Sequence, residues 1–334
     1  MTITRSSLFS EVKYYLKLSQ EFQSRLSKYP HDWPQFQEIF NLTVEKIAVD
    51  ILQFEKENIN KFEAKVYKLK SIFEKRYRRY FLYGEFPKWV FEKPLGYAGD
   101  YRIIDDIYVN QPRTIGFDRL WDNYFQQMVA SKATRERKED LKRSILDFVT
   151  KHRGRDIRIM NLASGPAREI KELLEADSDK LFSNVIFDCY DFEVRAIDYA
   201  KQLLNGASNI NFFSKNAIRL ALKKDIKKEI PWDYDFIYSA GLYDYLDDRV
   251  TVRLTSNLKR LLRKDGMMVI ANFGDKYSNS SAGLMEWATE WYLIYRAGDA
   301  LEKIFLNAGF SPKNLKIIPQ QGKVIQYCFA NNTD

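Results

Sequence analysis

The sequence predicts an α/β fold: a parallel sheet covered by helices on both faces and finished by an antiparallel hairpin, preceded by a helical region. Three observations predict it. From about residue 155, short β-rich runs alternate with helical stretches, and such alternation implies parallel strands joined by crossover helices. The chain then ends in two strand-like runs, 314–318 and 323–330, separated by the tight-turn signal Gln320-Gln-Gly322. Before residue 150 the pattern is helical, and glycine is scarce ahead of Gly84.

The elements follow in order. Apolar residues recur at helical spacing in Phe36, Phe40, Val44, Ile47, Ile51 and Phe54, and again in Phe62, Val66, Leu69 and Phe73. Residues 1–150 are accordingly expected to form an N-terminal helical domain, a candidate lid and dimerisation region, and residues 151–334 the sheet domain. In the second part 157–162 reads as a strand and 166–176 as a helix, with Pro166 at its first position and Gly165 as its cap. Strands at 184–190, 210–213, 235–239 and 267–273 alternate with helices at 193–204, 249–263 and 300–308.

Composition restricts the function classes. The chain has 334 residues, 45% hydrophobic and 29% charged, which fits a folded soluble protein. The net charge of +8 comes from 53 bases interleaved with 45 acids and reads as solvated surface. Cys189 and Cys328 lie in apolar runs and are expected to be reduced, buried thiols of a cytoplasmic protein. No metal site is expected, because the only histidines, His31 and His152, are far from either cysteine in sequence. No run approaches the roughly 20 apolar residues of a membrane helix, and the opening segment lacks the apolar core of a signal peptide.

In open parallel sheets, ligands bind beyond the carboxyl ends of the strands, where strand order reverses. The loop after the first strand is Asn161-Leu-Ala-Ser-Gly-Pro-Ala167, with small residues at 163, 165 and 167 that let backbone approach a ligand. The second strand ends at Asp191, a carboxylate placed to accept ribose hydroxyls, with Asp188 as an in-strand competitor. After the third strand come Asn216 and Ala217, and after the fourth Ser239-Ala-Gly-Leu-Tyr-Asp-Tyr-Leu246.

This loop is similar to that of class I methyltransferases, which commonly reads acidic-x-Gly-x-Gly-x-Gly; here Asn161 replaces the acid, and Ala163 and Ala167 replace glycines. The resemblance implies a Rossmann-like seven-stranded class I sheet and S-adenosylmethionine as cofactor. It assigns cofactor contacts to Asn161, Ala163, Ser164, Gly165, Ala167, Asp191, Phe192, Asn216, Ala217, Ser239, Ala240 and Gly241. Lys93-Pro-Leu-Gly-Tyr-Ala-Gly-Asp-Tyr101, Asn161-Leu-Ala-Ser-Gly-Pro-Ala-Arg-Glu169, the 239–246 segment and Trp291-Tyr-Leu-Ile-Tyr-Arg296 together resemble a narrower bacterial family. That family is assigned to extracellular factor (3-hydroxypalmitic acid methyl ester) biosynthesis. Within this resemblance Tyr97 and Asp100 suit a lid over the cofactor.

Methyl transfer is an in-line displacement from an already activated donor, so the protein chiefly aligns the acceptor. A carboxylate acceptor needs no general base, whereas a hydroxyl usually does. If a base is used, Tyr243, Asp244, Tyr245 and Glu286 are the candidates. Arg296 or Arg102 is the candidate anion holder, and Glu286, Trp291, Tyr295 and Arg296 are expected to share one helix. The expected partner is a small-molecule acceptor. One alternative is a nucleic-acid methyltransferase, motivated by the basic, aromatic run Lys75-Arg-Tyr-Arg-Arg-Tyr80, although the loop after the fourth strand is not the Asp/Asn-Pro-Pro-aromatic type used on exocyclic amines. The other is a non-catalytic cofactor-binding protein, motivated by the three loop replacements.

Overall fold

The computed structural model describes residues 5–333; the start of the opening segment, residues 1–4, and residue 334 lie outside them. Six helices come first: α1 (Arg5–Lys28), α2 (Pro34–Arg76), α3 (Glu85–Glu92), α4 (Tyr101–Val109), α5 (Gly116–Gln127) and α6 (Val129–Lys151). Strands and helices then alternate as β1 (Ile157–Leu162), α7 (Arg168–Glu175), β2 (Val185–Asp191), α8 (Val194–Leu203), β3 (Ile210–Ser214) and α9 (Ala217–Ala221). The alternation continues with β4 (Tyr234–Ser239), α10 (Asp248–Lys259) and β5 (Leu262–Phe273). Two more helices, α11 (Ala282–Trp287) and α12 (Gly298–Asn307), precede β6 (Leu315–Pro319) and β7 (Ile325–Asn331). Among the described residues no helix is long and apolar enough to cross a membrane.

By its internal contacts the chain divides into two units, residues up to 132 together with 276–292, and residues 133–275 together with 293–334. The division at 132/133 falls inside α6, whereas the boundary expected from the sequence, 150/151, lies at the last residue of that helix.

In the first unit the apolar stripe of α2 is buried at Phe40, Val44, Ile47, Ile51 and Phe54, and again at Val66, Leu69 and Phe73. Phe62, read as the start of the second run, instead leaves helical geometry at φ −141°, kinks the helix and is exposed. Tyr15, Phe40, Phe81 and Trp121 form the aromatic centre, with Phe40 edge-on to Trp121 at 5.3 Å and Tyr15 against Phe81 at 4.7 Å. Helix α11 joins this unit at close range: a Cβ on Gly283 would stand 2.4 Å from the Ala48 carbonyl oxygen of α2, so only glycine fits there.

The second unit is a seven-stranded sheet in the order β3-β2-β1-β4-β5-β7-β6. The first five strands run parallel, and β7 is antiparallel to both β5 and β6. This is the class I methyltransferase arrangement expected from the sequence, and the terminal hairpin is where the turn signal placed it. One face, including Met160, Leu162, Tyr190, Ile237 and Ile270, packs with Leu254 and Leu258 of α10 and Leu301, Ile304 and Phe305 of α12. The opposite face is also buried, with Phe148 of α6 against Phe236 at 5.1 Å. Cys189 and Cys328 are free and buried.

Three local expectations are corrected. Helix α7 starts at Arg168 with Ala167 as its N-cap, so Pro166 lies in the turn and Gly165 is not the cap; the left-handed Ala167, at φ +51°, delays the helix. The predicted helix carrying Glu286, Trp291, Tyr295 and Arg296 ends at Trp287, because Glu290 turns left-handed at φ +54° and diverts the chain. Strand β5 reaches back to Leu262 through the charged residues Arg263, Lys264 and Asp265, which are exposed and carry no apolar signal.

Candidate functional site

The strand order reverses between β1 and β4, whose register pairs Asn161 with Tyr238. The carboxyl ends of β1, β2 and β4 therefore converge where a ligand crevice is expected in such a sheet. The loop after β1 has an unusual backbone. Ala163, Gly165 and Ala167 all take positive φ, at +55°, +52° and +51°, while the residues between them do not. Left-handed alanines are unfavourable by roughly 1–2 kcal/mol each, so the loop keeps a glycine-type path at positions without glycine.

Neighbouring strands fix that path. The Ser164 N–H donates to the Tyr190 carbonyl at 3.0 Å, and the Ala167 N–H to the Ser164 carbonyl at 3.0 Å. Asp191, at the end of β2, accepts the Gly165 N–H at 2.9 Å on one oxygen and the Glu193 N–H at 3.0 Å on the other. Burial raises the Asp191 pKa, and those backbone donors oppose the shift. Asp191 thus joins two strand-end loops, and each oxygen retains acceptor capacity. The N-cap of α8 is Glu193, which accepts the Arg195 N–H, while Phe192 between them is exposed. Asp188 is engaged inside the strand layer by Arg158, Asn211 and the Tyr234 hydroxyl. The Ser164 hydroxyl is buried and has no hydrogen-bond partner among the described residues.

At the end of β1 the Asn161 amide donates to Glu169 Oε1 at 2.8 Å, and the Tyr238 hydroxyl donates to the same oxygen at 2.8 Å. Glu169 is 6% exposed, and burial raises its pKa. Asn216 caps α9 by accepting the Arg219 N–H at 3.0 Å, which makes Ala217 the first helical residue. Ser239 is fully buried and donates to the Leu162 carbonyl at 2.7 Å, tying β4 to β1, and half-buried Ala240 and Gly241 follow it.

The segment after β4 separates the candidate chemical residues. The Tyr243 ring is in the core, its hydroxyl paired with Thr255 at 2.8 Å, and burial pushes its pKa up. Asp244 is 2% exposed; it accepts the Phe273 N–H at 2.7 Å and the Asn272 amide at 2.9 Å, and Arg137 stands 3.7 Å away. Burial pushes the Asp244 pKa up to about 7 against the pull of the Arg137 charge and the Phe273 amide. Tyr245 is exposed. Arg296 does not present a guanidinium to the crevice. It donates to the Tyr243 carbonyl at 2.6 Å, the Asn272 amide oxygen at 2.8 Å, the Leu246 carbonyl at 2.5 Å and Asp248 at 2.8 Å. The side chain clamps the segment after β4 to the end of β5.

The remaining candidates belong to the helical unit. Asp100 is fully buried as the N-cap of α4, accepting the Arg102 and Ile103 N–H groups at 3.0 Å and the Trp89 indole at 2.7 Å. Tyr97, four residues earlier than the start of α4, is half-buried. Glu286 pairs with Lys276 at 2.7 Å, and the same ammonium pairs with Glu55. Arg102 pairs with Glu85 and lies over the Trp89 ring at 3.9 Å.

Two features escape the sequence. Arg137 of α6 lies 3.3 Å from where a Cβ on Gly241 would stand, so a longer residue at 241 would displace the guanidinium. Nothing local distinguishes Arg137 from the other charges of its helix. Glu169 signals itself only as an acid in the first turn of α7.

No curated protein sequence matches the chain. Among solved structures it is similar to a protein of Bordetella parapertussis described as a possible exported protein, with a TM-score of 0.55 at 15% identity over 89% of this chain and 97% of that one. At that identity the likeness is one of fold. It is also similar to magnesium protoporphyrin IX methyltransferase from Synechocystis PCC 6803 with bound SAH, at a TM-score of 0.49 and 9% identity over 74% of this chain and 100% of that one. A third similar structure is the pyocyanin biosynthetic protein PhzM, at a TM-score of 0.47 and 14% identity over 79% and 72% of the two chains. The model of the family described as "Putative methyltransferase" matches residues 96–276, more than half of the chain, and the chain belongs to that family.

Proposed function

We propose that the protein transfers a methyl group from S-adenosylmethionine to the carboxylate or hydroxyl of a small hydroxy acid. The observation that carries this reading is the loop after β1, with left-handed backbone at 163, 165 and 167 and a buried, unpartnered Ser164 hydroxyl at the reversal of strand order. An orphaned buried hydroxyl is costly, and a polar ligand at the loop would satisfy it. Turns with alternating left-handed residues can also gather N–H groups around an anion such as a carboxylate.

When bound, S-adenosylmethionine supplies a methyl group already activated on a sulfonium. The chain's own residues then have positional tasks. Asp191 retains acceptor capacity for ribose hydroxyls while fixing the Gly165 amide. Asn216 and Ala217 are assigned to the nucleobase edge, and residues 239–241 to the junction of donor and acceptor. An ionised carboxylate acceptor needs no base. A hydroxyl acceptor would need a base, and of the candidates Tyr245 is the exposed one, Asp244 being buried against Phe273, Asn272 and Arg137. Tyr243 and Arg296 are assigned no direct contact with the acceptor, because Thr255 and the main-chain carbonyls engage them. Glu286 is likewise neutralised by Lys276. The two buried free thiols support a reducing, cytoplasmic setting.

Calorimetric titration of the full chain with S-adenosylmethionine is the first test: saturable binding is expected, and no binding would sink the proposal. Mass spectrometry of metabolite pools incubated with the protein and an isotopically labelled methyl donor then identifies the acceptor. Labelled small carboxylic esters or ethers are expected, and label confined to RNA would replace the small-molecule assignment.

A further inference from the structure

Glu169 lies where the β1 loop lacks an acid. The class I pattern has a carboxylate at the position of Asn161, and here an amide replaces it. Eight residues later the chain supplies one. Glu169 is buried in the first turn of α7, and its Oε1 accepts both the Asn161 amide and the Tyr238 hydroxyl, each at 2.8 Å. Asn161 and Tyr238 are register partners on β1 and β4, so both side chains leave the same face at the same level. The two strands are those between which the order reverses. The two donors therefore hold the carboxylate at the switch point, beside the left-handed loop.

The surroundings of this carboxylate are incomplete in charge. Both bracing donors are neutral groups. Among the described residues no lysine or arginine forms an ion pair with Glu169, and the charged neighbour that acts on it, Glu172, has the same sign. A buried carboxylate without a cation is unfavourable unless a cation arrives or a proton binds. A methyl donor with a free amino-acid end would bring that cation as its ammonium group.

We propose that Glu169 supplies the negative charge missing at residue 161 and selects donors carrying a positively charged amino-acid end, with Asn161 and Tyr238 acting as positioning residues for its carboxylate. This inference rests on the S-adenosylmethionine reading above. Asn161 is then a brace, and the anchor for the amino group is eight residues away on α7.

The test compares calorimetric affinities of the full chain for S-adenosylmethionine, S-adenosylhomocysteine and 5′-methylthioadenosine, which shares the nucleoside and sulfur but lacks the amino-acid end. The wild-type protein is expected to bind the first two more tightly than the third. Failure to bind any of the three overturns the donor reading itself, and this inference with it. In Glu169→Gln, affinity for the two amino-acid-bearing ligands is expected to fall about tenfold or more, in keeping with loss of a charge-assisted contact. Affinity for 5′-methylthioadenosine is expected to stay within about twofold, since the nucleoside contacts remain. Equal losses for all three ligands would show a purely structural role and overturn the proposal, as would no loss for any. The double variant Asn161→Asp/Glu169→Gln moves the charge back to β1 and is expected to restore discrimination. It also decides the matter if Glu169→Gln alone fails to fold: a folded double variant that does not discriminate refutes the inference.

Discussion

The left-handed alanines of the β1 loop allow a sharp test of the loop geometry. Ala163 and Ala167 hold φ values of +55° and +51°. A Cβ in that region costs roughly 1–2 kcal/mol. Glycine removes the clash but costs about 0.5–1 kcal/mol in conformational entropy. At the half-buried Ala163 little else changes, so Ala163→Gly is expected to stabilise the protein by roughly 0.5–1 kcal/mol. Ala167 is fully buried, and losing its methyl cancels about 0.8 kcal/mol. Ala167→Gly should therefore remain within about 0.5 kcal/mol of the parent. Denaturant unfolding followed by far-ultraviolet circular dichroism measures both, with unchanged m-values as the control. The order of the two variants is the decisive quantity. A destabilising Ala163→Gly, or an Ala167→Gly more stabilising than Ala163→Gly, would refute the strain argument. Ala163→Val is expected to move stability the other way, because β-branched residues tolerate positive φ least.

Two further predictions concern the segment after β4. Burial raises the Asp244 pKa from 3.8 to about 7, so the folded state binds this proton more tightly than the unfolded chain. Its contribution is full below about pH 4 and is lost as pH rises through about 7, where the buried group must ionise. Relative to Asp244→Asn, the parent should therefore lose stability between pH 4 and pH 7 in paired denaturation curves; a constant difference would show that the site does not shift the carboxyl. Arg296→Leu orphans the Tyr243 carbonyl and the Asn272 amide oxygen, while the Leu246 carbonyl keeps the Thr251 hydroxyl as a donor. At about 1 kcal/mol or more for each of these two buried acceptors, a loss of at least roughly 2 kcal/mol is expected. Limited proteolysis should cut first near residues 240–248, and unchanged stability would mean that the clamp contributes little.

The central strands, such as β1 and β4, were legible because they are buried on both faces and therefore appear as continuous apolar runs. The run at 157–162 coincides with β1, and the turn at 320–322 falls between the hairpin strands. Charged Arg263–Lys264–Asp265 hid the start of β5, because main-chain pairing extends where side chains face solvent. The aromatic spacing from 285 to 296 suggested one long helix, and the reversal at Glu290 had no glycine to announce it. The grouping of 276–292 with the helical unit depends on contacts such as Gly283 against Ala48, which are invisible to local periodicity.

The loop after β1 was legible as a turn of small residues, but its backbone path was not. Small residues at 163, 165 and 167 marked the loop between β1 and α7, yet the substitutions at 161, 163 and 167 read as losses. The backbone shows that the path was kept at both alanines, because hydrogen bonds donated by the loop N–H groups to Asp191 and the Tyr190 carbonyl hold it regardless of residue type. The missing acid is a different matter, since charge cannot be supplied by backbone. A side chain folding back from α7 can supply it, and that solution depends on the register of Asn161 with Tyr238 rather than on any spacing along the chain. A motif scored residue by residue would treat Asn161 as decay, whereas Asn161 and Glu169 taken together retain one carboxylate at the end of β1. On this argument the amide is required as the donor that holds Glu169 in place, and Asn161→Ala should weaken donor binding through loss of position rather than through loss of charge.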